Sequence, residues 1–126
     1  MWKGFLASFY GAISEEIVMR LFLMTLIVWI IFKIRKTEDG KPNSLGIWIA
    51  IVLSAVIFGL GHLPITGSIT SITPLIIGRA VLLNGVGGIV LGWLYWKKGL
   101  ESAMMGHFSA DIVLNVIYPF ILALLI

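Results

Sequence analysis

An all-α, polytopic membrane bundle of about four transmembrane helices around a buried polar site is the fold this sequence predicts. Three observations carry the prediction. The 126 residues are 60% hydrophobic and 12% charged, with a mean hydropathy of +1.07, where a water-soluble domain has about a quarter of its residues charged. The apolar residues gather into four runs, each close to the roughly 20 residues that a helix needs to cross a bilayer. Six of the nine Lys and Arg residues (Lys33, Arg35, Lys36, Lys41, Lys97 and Lys98) stand in two short polar breaks between those runs.

The first run extends from about Phe5 to Phe32 and stops at the charged break from Lys33 to Pro42, which Gly40 and Pro42 close. A second runs from about Leu45 to Leu63, where Pro64, Gly67 and a Ser/Thr-rich stretch are expected to interrupt it. The third covers roughly Ile76 to Trp96, and Trp93, Tyr95 and Trp96 beside Lys97 and Lys98 mark a headgroup boundary. Gly88 and Gly92 within it stand one turn apart and let a neighbouring helix come close. The fourth begins near Leu100 and continues to Tyr118 and Pro119 or to the terminus. No repeat, heptad or low-complexity tract divides the chain, so residues 1–126 read as a single domain.

The net charge of +3 is topological rather than a nucleic-acid footprint, because the basic residues form no stripe on a folded surface. With both lysine-bearing breaks cytoplasmic, the N-terminus, the 64–75 connection and the C-terminus face the other side. The expectation is an integral, multi-pass membrane protein, in the plasma membrane if the source is prokaryotic. The chain has no cysteine, which excludes disulfides, thiolate metal sites and a cysteine nucleophile. Glu15, Glu16 and Arg20 interrupt the first run, so it is not a removable signal peptide.

Ionisable groups inside hydrocarbon each cost at least ~2.5 kcal/mol on insertion scales and tend to face the bundle interior. Here Glu15, Glu16, Glu101 and Asp111 lie in or at the ends of apolar segments, with His62, His107, Arg20 and Arg79. Glu16 and Arg20 are four apart, neighbours on one helix face in the favourable order, and such a pair can be purely structural. Glu15 has no local partner and needs one from another helix. His107 and Asp111 are also four apart, with Asn115 one turn further along the same expected face. Glu15, His62 and His107 come from three different runs, and a bundle buries all of them economically only around one wet cavity.

In order, the chain reads Ser14-Glu15-Glu16-Ile17-Val18-Met19-Arg20, then Phe58-Gly59-Leu60-Gly61-His62, then His107-Phe108-Ser109-Ala110-Asp111. This resembles the CPBP (ABI domain) family, intramembrane proteases related to CAAX prenyl endopeptidases and to bacteriocin-processing or self-immunity proteins, whose marks are EExxxR, FxxxH and HxxxN/D. The resemblance implies that Glu15 is the catalytic carboxylate, that His62 and His107 share the site, and that Glu16 and Arg20 support it. It implies hydrolysis of a peptide bond in a hydrophobic or lipidated substrate at the membrane, without a covalent intermediate. Family members usually carry further helices ahead of the first motif, whereas fourteen residues precede Glu15 here. The expectation is therefore a protease core without those helices, and a homo-oligomer is one way to complete it.

Two chemistries fit these residues. Glu15 could act as general base on water while His62 orients that water and His107 donates to the developing oxyanion. Alternatively Glu15, His62, His107 and Asp111 could ligate zinc or another divalent metal that activates the water. Where the family most often has asparagine this chain has Asp111, which when ionised only accepts hydrogen bonds. That residue is expected either to hold His107 in one tautomer or to bind a metal itself. The alternative to an enzyme is a non-enzymatic immunity or partner-binding membrane protein whose polar cluster serves packing. Counted along the helices at 1.5 Å per residue, Glu15 lies about 27 Å from Lys33, which places the site away from the lysine-rich side.

Overall fold

The computed structural model describes residues 2–126, and among these every regular element is helical. Four helices are long and apolar enough to cross a membrane: α1 (Trp2–Ile34), α2 (Ser44–Ile69), α3 (Pro74–Lys98) and α4 (Leu100–Leu125). At 33 residues, α1 would be at most about 50 Å long, well beyond a ~30 Å hydrocarbon core, and must tilt or project from it. The side chains left exposed include Phe22, Trp29, Leu45, Leu75, Leu82 and Leu125, whereas Ser8, Glu16, Arg20, Ser54 and His107 are buried. Apolar groups outside and charges within are the arrangement that a lipid solvent selects.

The helix ends follow from local chemistry. Asn43 caps α2 by accepting from the Gly46 N–H at 2.8 Å, and Thr73 caps α3 by accepting from Ile76 at 3.3 Å. Pro74 takes the first position of α3, where its missing N–H costs nothing. Between α1 and α2, the backbone N–H of Lys41 and the Thr37 hydroxyl hold the Asp39 carboxyl below the usual carboxylate range. Gly99 alone links α3 to α4. Its φ of +98° is open to glycine and strained for other residues, and it lets the chain reverse within one residue.

The most extensive pairing is α2 against α3, which run antiparallel at close range. A methyl group on Gly88 would stand 2.9 Å from the Ala55 Cα, one on Gly59 2.9 Å from the Val81 Cα, and one on Gly92 3.1 Å from an Ile51 methyl. Packing of this kind, rather than hydrophobic exclusion from water, is what joins helices in lipid. The N-terminal half of α1 lies on α4 and its C-terminal half on α2, while α4 follows α3, so the four helices close into a ring. Met24, Ala50 and Ile51 are buried where α1, α2 and α3 meet. Near them the Thr25 and Tyr95 hydroxyls share a 2.8 Å hydrogen bond between α1 and α3, and Trp48 meets Trp96 edge to face.

Two features depart from the sequence expectations. Pro64 does not end the second helix. The backbone turns at His62, and Pro64 becomes the second residue of a helical continuation, Leu63–Ile69, where no N–H is needed. Secondly, much of α1 is wound as π-helix, over Gly11–Glu15 and Ile17–Met24, and α4 widens likewise over Val113–Ile117. In α4 the widening comes just before Pro119, which has no N–H to donate and crowds the Asn115 carbonyl. The π-helix is rare and concentrates at functional sites. Here it coincides with the stretch bearing Glu15, Glu16 and Arg20.

Candidate active site

Three helices deliver the polar groups. The widened part of α1 carries Glu15, Glu16 and Arg20, the kink of α2 carries His62, and the middle of α4 carries His107 and Asp111. Pro64 gives no N–H back to Leu60, and the His62 N–H turns to the Gly59 carbonyl at 3.3 Å. The Phe58 carbonyl then accepts from the ring of His62, whose Nδ1 lies 2.8 Å away. Since a carbonyl only accepts, Nδ1 carries the proton, and in the neutral ring Nε2 is left as an acceptor.

Glu16 is fully buried and joins two partners. Its Oε1 accepts from Nδ1 of His107 at 2.8 Å, and its Oε2 lies 3.1 Å from Nε of Arg20, also fully buried. That ion pair is off the line of a hydrogen bond, and Nε and both terminal nitrogens of Arg20 have no hydrogen-bond partner. The Arg20 guanidinium stands 5.8 Å from the Phe58 ring centroid, close enough for a cation–π attraction. Phe58 also meets the His62 and His107 rings edge to face, at 4.6 and 5.9 Å. It is the packing centre of the cluster.

With Nδ1 engaged by Glu16, the other nitrogen of His107 faces two further carboxylates. Nε2 lies 3.7 Å from Glu15 Oε2 and 3.6 Å from Asp111 Oδ2. Glu15 is a third exposed and lines, with His62, a cleft of about 340 Å³ between α1 and α2 whose other walls include Tyr10, Val18, Met19, Ile57 and Ile65. The cleft is apolar apart from its polar end.

Glu15, Glu16, Arg20, His107 and Asp111 thus form one contiguous cluster, with His62 on the cleft that Glu15 lines. The tautomer-fixing contact to His107 that spacing suggested for Asp111 is made by Glu16. Asp111, one turn along the same helix, reaches only Nε2. Asn115 is exposed but stays on the α1-facing side of α4 with His107 and Asp111, since a methyl group on Gly4 would stand 3.3 Å from its Cβ. Arg79 and Glu101 are exposed and take no part. Carboxylate and imidazole suit zinc as donors. Among the described residues, however, no three His, Asp or Glu side chains are gathered so as to hold a metal ion. Sequence spacing did not reveal the roles of Phe58 and Gly11. The first stands in the FxxxH motif, four residues before His62, and the second carries no signal except its size.

Acids and imidazoles held inside a ring of apolar helices long enough to cross a bilayer, beside an apolar cleft, are the arrangement of an integral membrane protein with its ionisable groups turned inward. Comparison with known families places it more closely. The family model of Type II CAAX prenyl endopeptidase Rce1-like proteins matches residues 1–113, and the chain belongs to this family of CAAX-type intramembrane proteases. No curated protein and no solved structure matches the chain.

Proposed function

We propose that the protein is an intramembrane endopeptidase in which Glu15 is the general base, acting on a hydrophobic or lipidated peptide that lies in the α1–α2 cleft. The observation that supports this most is the placement of Glu15, a third exposed on an apolar cleft and 3.7 Å from Nε2 of His107, a nitrogen that makes no hydrogen bond and that Asp111 also faces at 3.6 Å. In this reading Glu15 takes a proton from the attacking water and returns it to the leaving amine. His62, presenting Nε2 as an acceptor, orients the water. Nε2 of His107, when it carries the proton, donates to the tetrahedral oxygen, an interaction of order 3 kcal/mol in other acyl-transfer sites. Glu16 and Arg20 hold His107 in register. The apolar walls of the cleft favour bulky aliphatic or aromatic residues, or a lipid chain, beside the scissile bond.

The test uses purified protein in detergent or reconstituted in vesicles, with fluorogenic peptides carrying apolar residues on both sides of the cleaved bond, with and without a lipid chain. Glu15→Gln is expected to lower turnover by about 10²–10⁴-fold, the usual contribution of a general base, with an unchanged melting temperature. Turnover that survives Glu15→Gln would remove Glu15 from this role.

A further inference from the structure

Gly11 stands one turn before Glu15 on the widened part of α1, buried against α4. A methyl group at this position would lie 2.6 Å from Asp111 Oδ2 and 3.2 Å from His107 Nε2. The first distance is shorter than any real carbon contact, and the carboxylate would have to retreat by nearly an ångström. Most other tight glycines of the fold press on backbone or on aliphatic side chains. Gly4, seven residues earlier on the same helix, would press on the backbone oxygen of Asn115 at 2.6 Å. Gly11 alone presses on the polar cluster itself.

We propose that Gly11 is a positioning residue of the site, whose missing side chain is what allows the Asp111 carboxylate to lie against Nε2 of His107, opposite the hydrogen bond that Nδ1 donates to Glu16. The inference rests on the reading of His107 and Asp111 as parts of a hydrolytic site. Three consequences follow from the geometry. The carboxylate of Asp111 occupies the space that a Cβ would fill, so residues 11 and 111 are sterically coupled. The imidazole has a carboxylate on each side, Glu16 hydrogen-bonded at Nδ1 and Asp111 3.6 Å from Nε2. And Glu15, on the same helix as Gly11, approaches that nitrogen only as closely as Gly11 lets α1 approach α4.

The chain has two histidines, which makes a direct spectroscopic test practicable on the full chain in detergent, with ¹⁵N-labelled histidine. Gly11→Ala is expected to shift the His107 ring nitrogen signals and leave those of His62 in place. Turnover of the apolar peptides should fall by about 10²-fold, as expected for a displacement near 1 Å in a catalytic arrangement. Combining Gly11→Ala with Asp111→Ala should remove the steric conflict, so that in the Asp111→Ala background the added methyl no longer moves the His107 signals. Gly4→Ala serves as the control for helix approach: it should lower the melting temperature without shifting His107. A Gly11→Ala protein that loses stability like Gly4→Ala while its His107 signals stay put would overturn the proposal. If Gly11→Ala alone does not fold, recovery of folding in the double variant supports the proposal and failure to recover overturns it. These readouts do not depend on turnover, so a chain inactive on every peptide would count against the protease reading without touching the role of Gly11.

Discussion

Glu16 and His107 are 91 positions apart in the sequence, and within the bundle Oε1 of one meets Nδ1 of the other at 2.8 Å. The contact joins α1 to α4, and through Arg20 it extends the charge network along α1. Removing a single partner from a buried ion pair strands the other, at a cost of about 3–5 kcal/mol in soluble proteins. Glu16→Ala strands both Arg20 and His107. It is therefore expected to lower the melting temperature in detergent sharply. Glu16→Gln keeps an oxygen for His107 and should lose less. Equal melting of Glu16→Ala and the parent protein would show that this network does not hold the bundle together.

Thr25 and Tyr95 provide a second, uncharged link, between α1 and α3. Interhelical hydrogen bonds in membrane proteins average about 0.6 kcal/mol by double-mutant cycles. Thr25→Val, Tyr95→Phe and the double variant should give a coupling of that size. A coupling indistinguishable from zero in unfolding titrations would mean that the two hydroxyls find equivalent partners when separated.

Metal dependence has a direct readout. The donors present are carboxylates and imidazoles, but no three of them are gathered for an ion among the described residues. Turnover is expected to persist after prolonged chelation, and metal analysis of purified protein should find well under one equivalent per chain. Loss of turnover on chelation with recovery on adding zinc would instead assign Glu15, His62, His107 and Asp111 as ligands. Repeating the analysis with Asp111→Asn would then show whether this carboxylate binds the ion.

Orientation can be read by chemical labelling, since the chain contains no cysteine to interfere. Single cysteines at Asp39, in the lysine-rich turn, and at Ser71, in the 64–75 connection, are both exposed. The charge bias predicts that an impermeant maleimide reaches position 71 from outside intact cells and position 39 only after the membrane is opened. The reverse pattern would place the Glu15 end of the bundle on the cytoplasmic side.

The helices were legible in the sequence because lipid imposes a length and an apolar composition that few other environments require. The ends were less so: α1 begins at Trp2 rather than Phe5, and α2 passes Pro64, since a turn at His62 puts the proline where no donor is needed. The cost of leaving each alone in hydrocarbon led to the expectation that Glu15, His62 and His107 share one cavity; Glu15 lies 3.7 Å from His107 and lines a cleft with His62, and His107 does not line that cleft. Which atom meets which did not follow. Spacing reveals partners within one helix, so Arg20 could be assigned to Glu16 and Asp111 to His107. The contact from Glu16 to His107 depends on how α1 rotates against α4. Hydropathy carries no trace of that rotation, and none of the π winding that helps to set it.

That winding ties the register of the polar cluster to residue count rather than to composition. A segment with more residues per turn than an α-helix needs its full complement to bring the same side chains round to the same bearing. Deleting one apolar residue between Ile17 and Met24 would leave the profile averaged over about 19 positions nearly unchanged, and the span would still insert. If the winding stayed wide, the part of α1 beyond the deletion would be turned relative to the part before it, and α1 could not meet α4 through Glu16 and α2 through Met24 at once. Relaxation of the stretch to ordinary α pitch, at about 100° per residue, would offset that turn. In comparing related chains, a one-residue indel in this stretch is therefore tolerable only together with a change of winding, a coupling that no aliphatic exchange on the lipid-facing side carries.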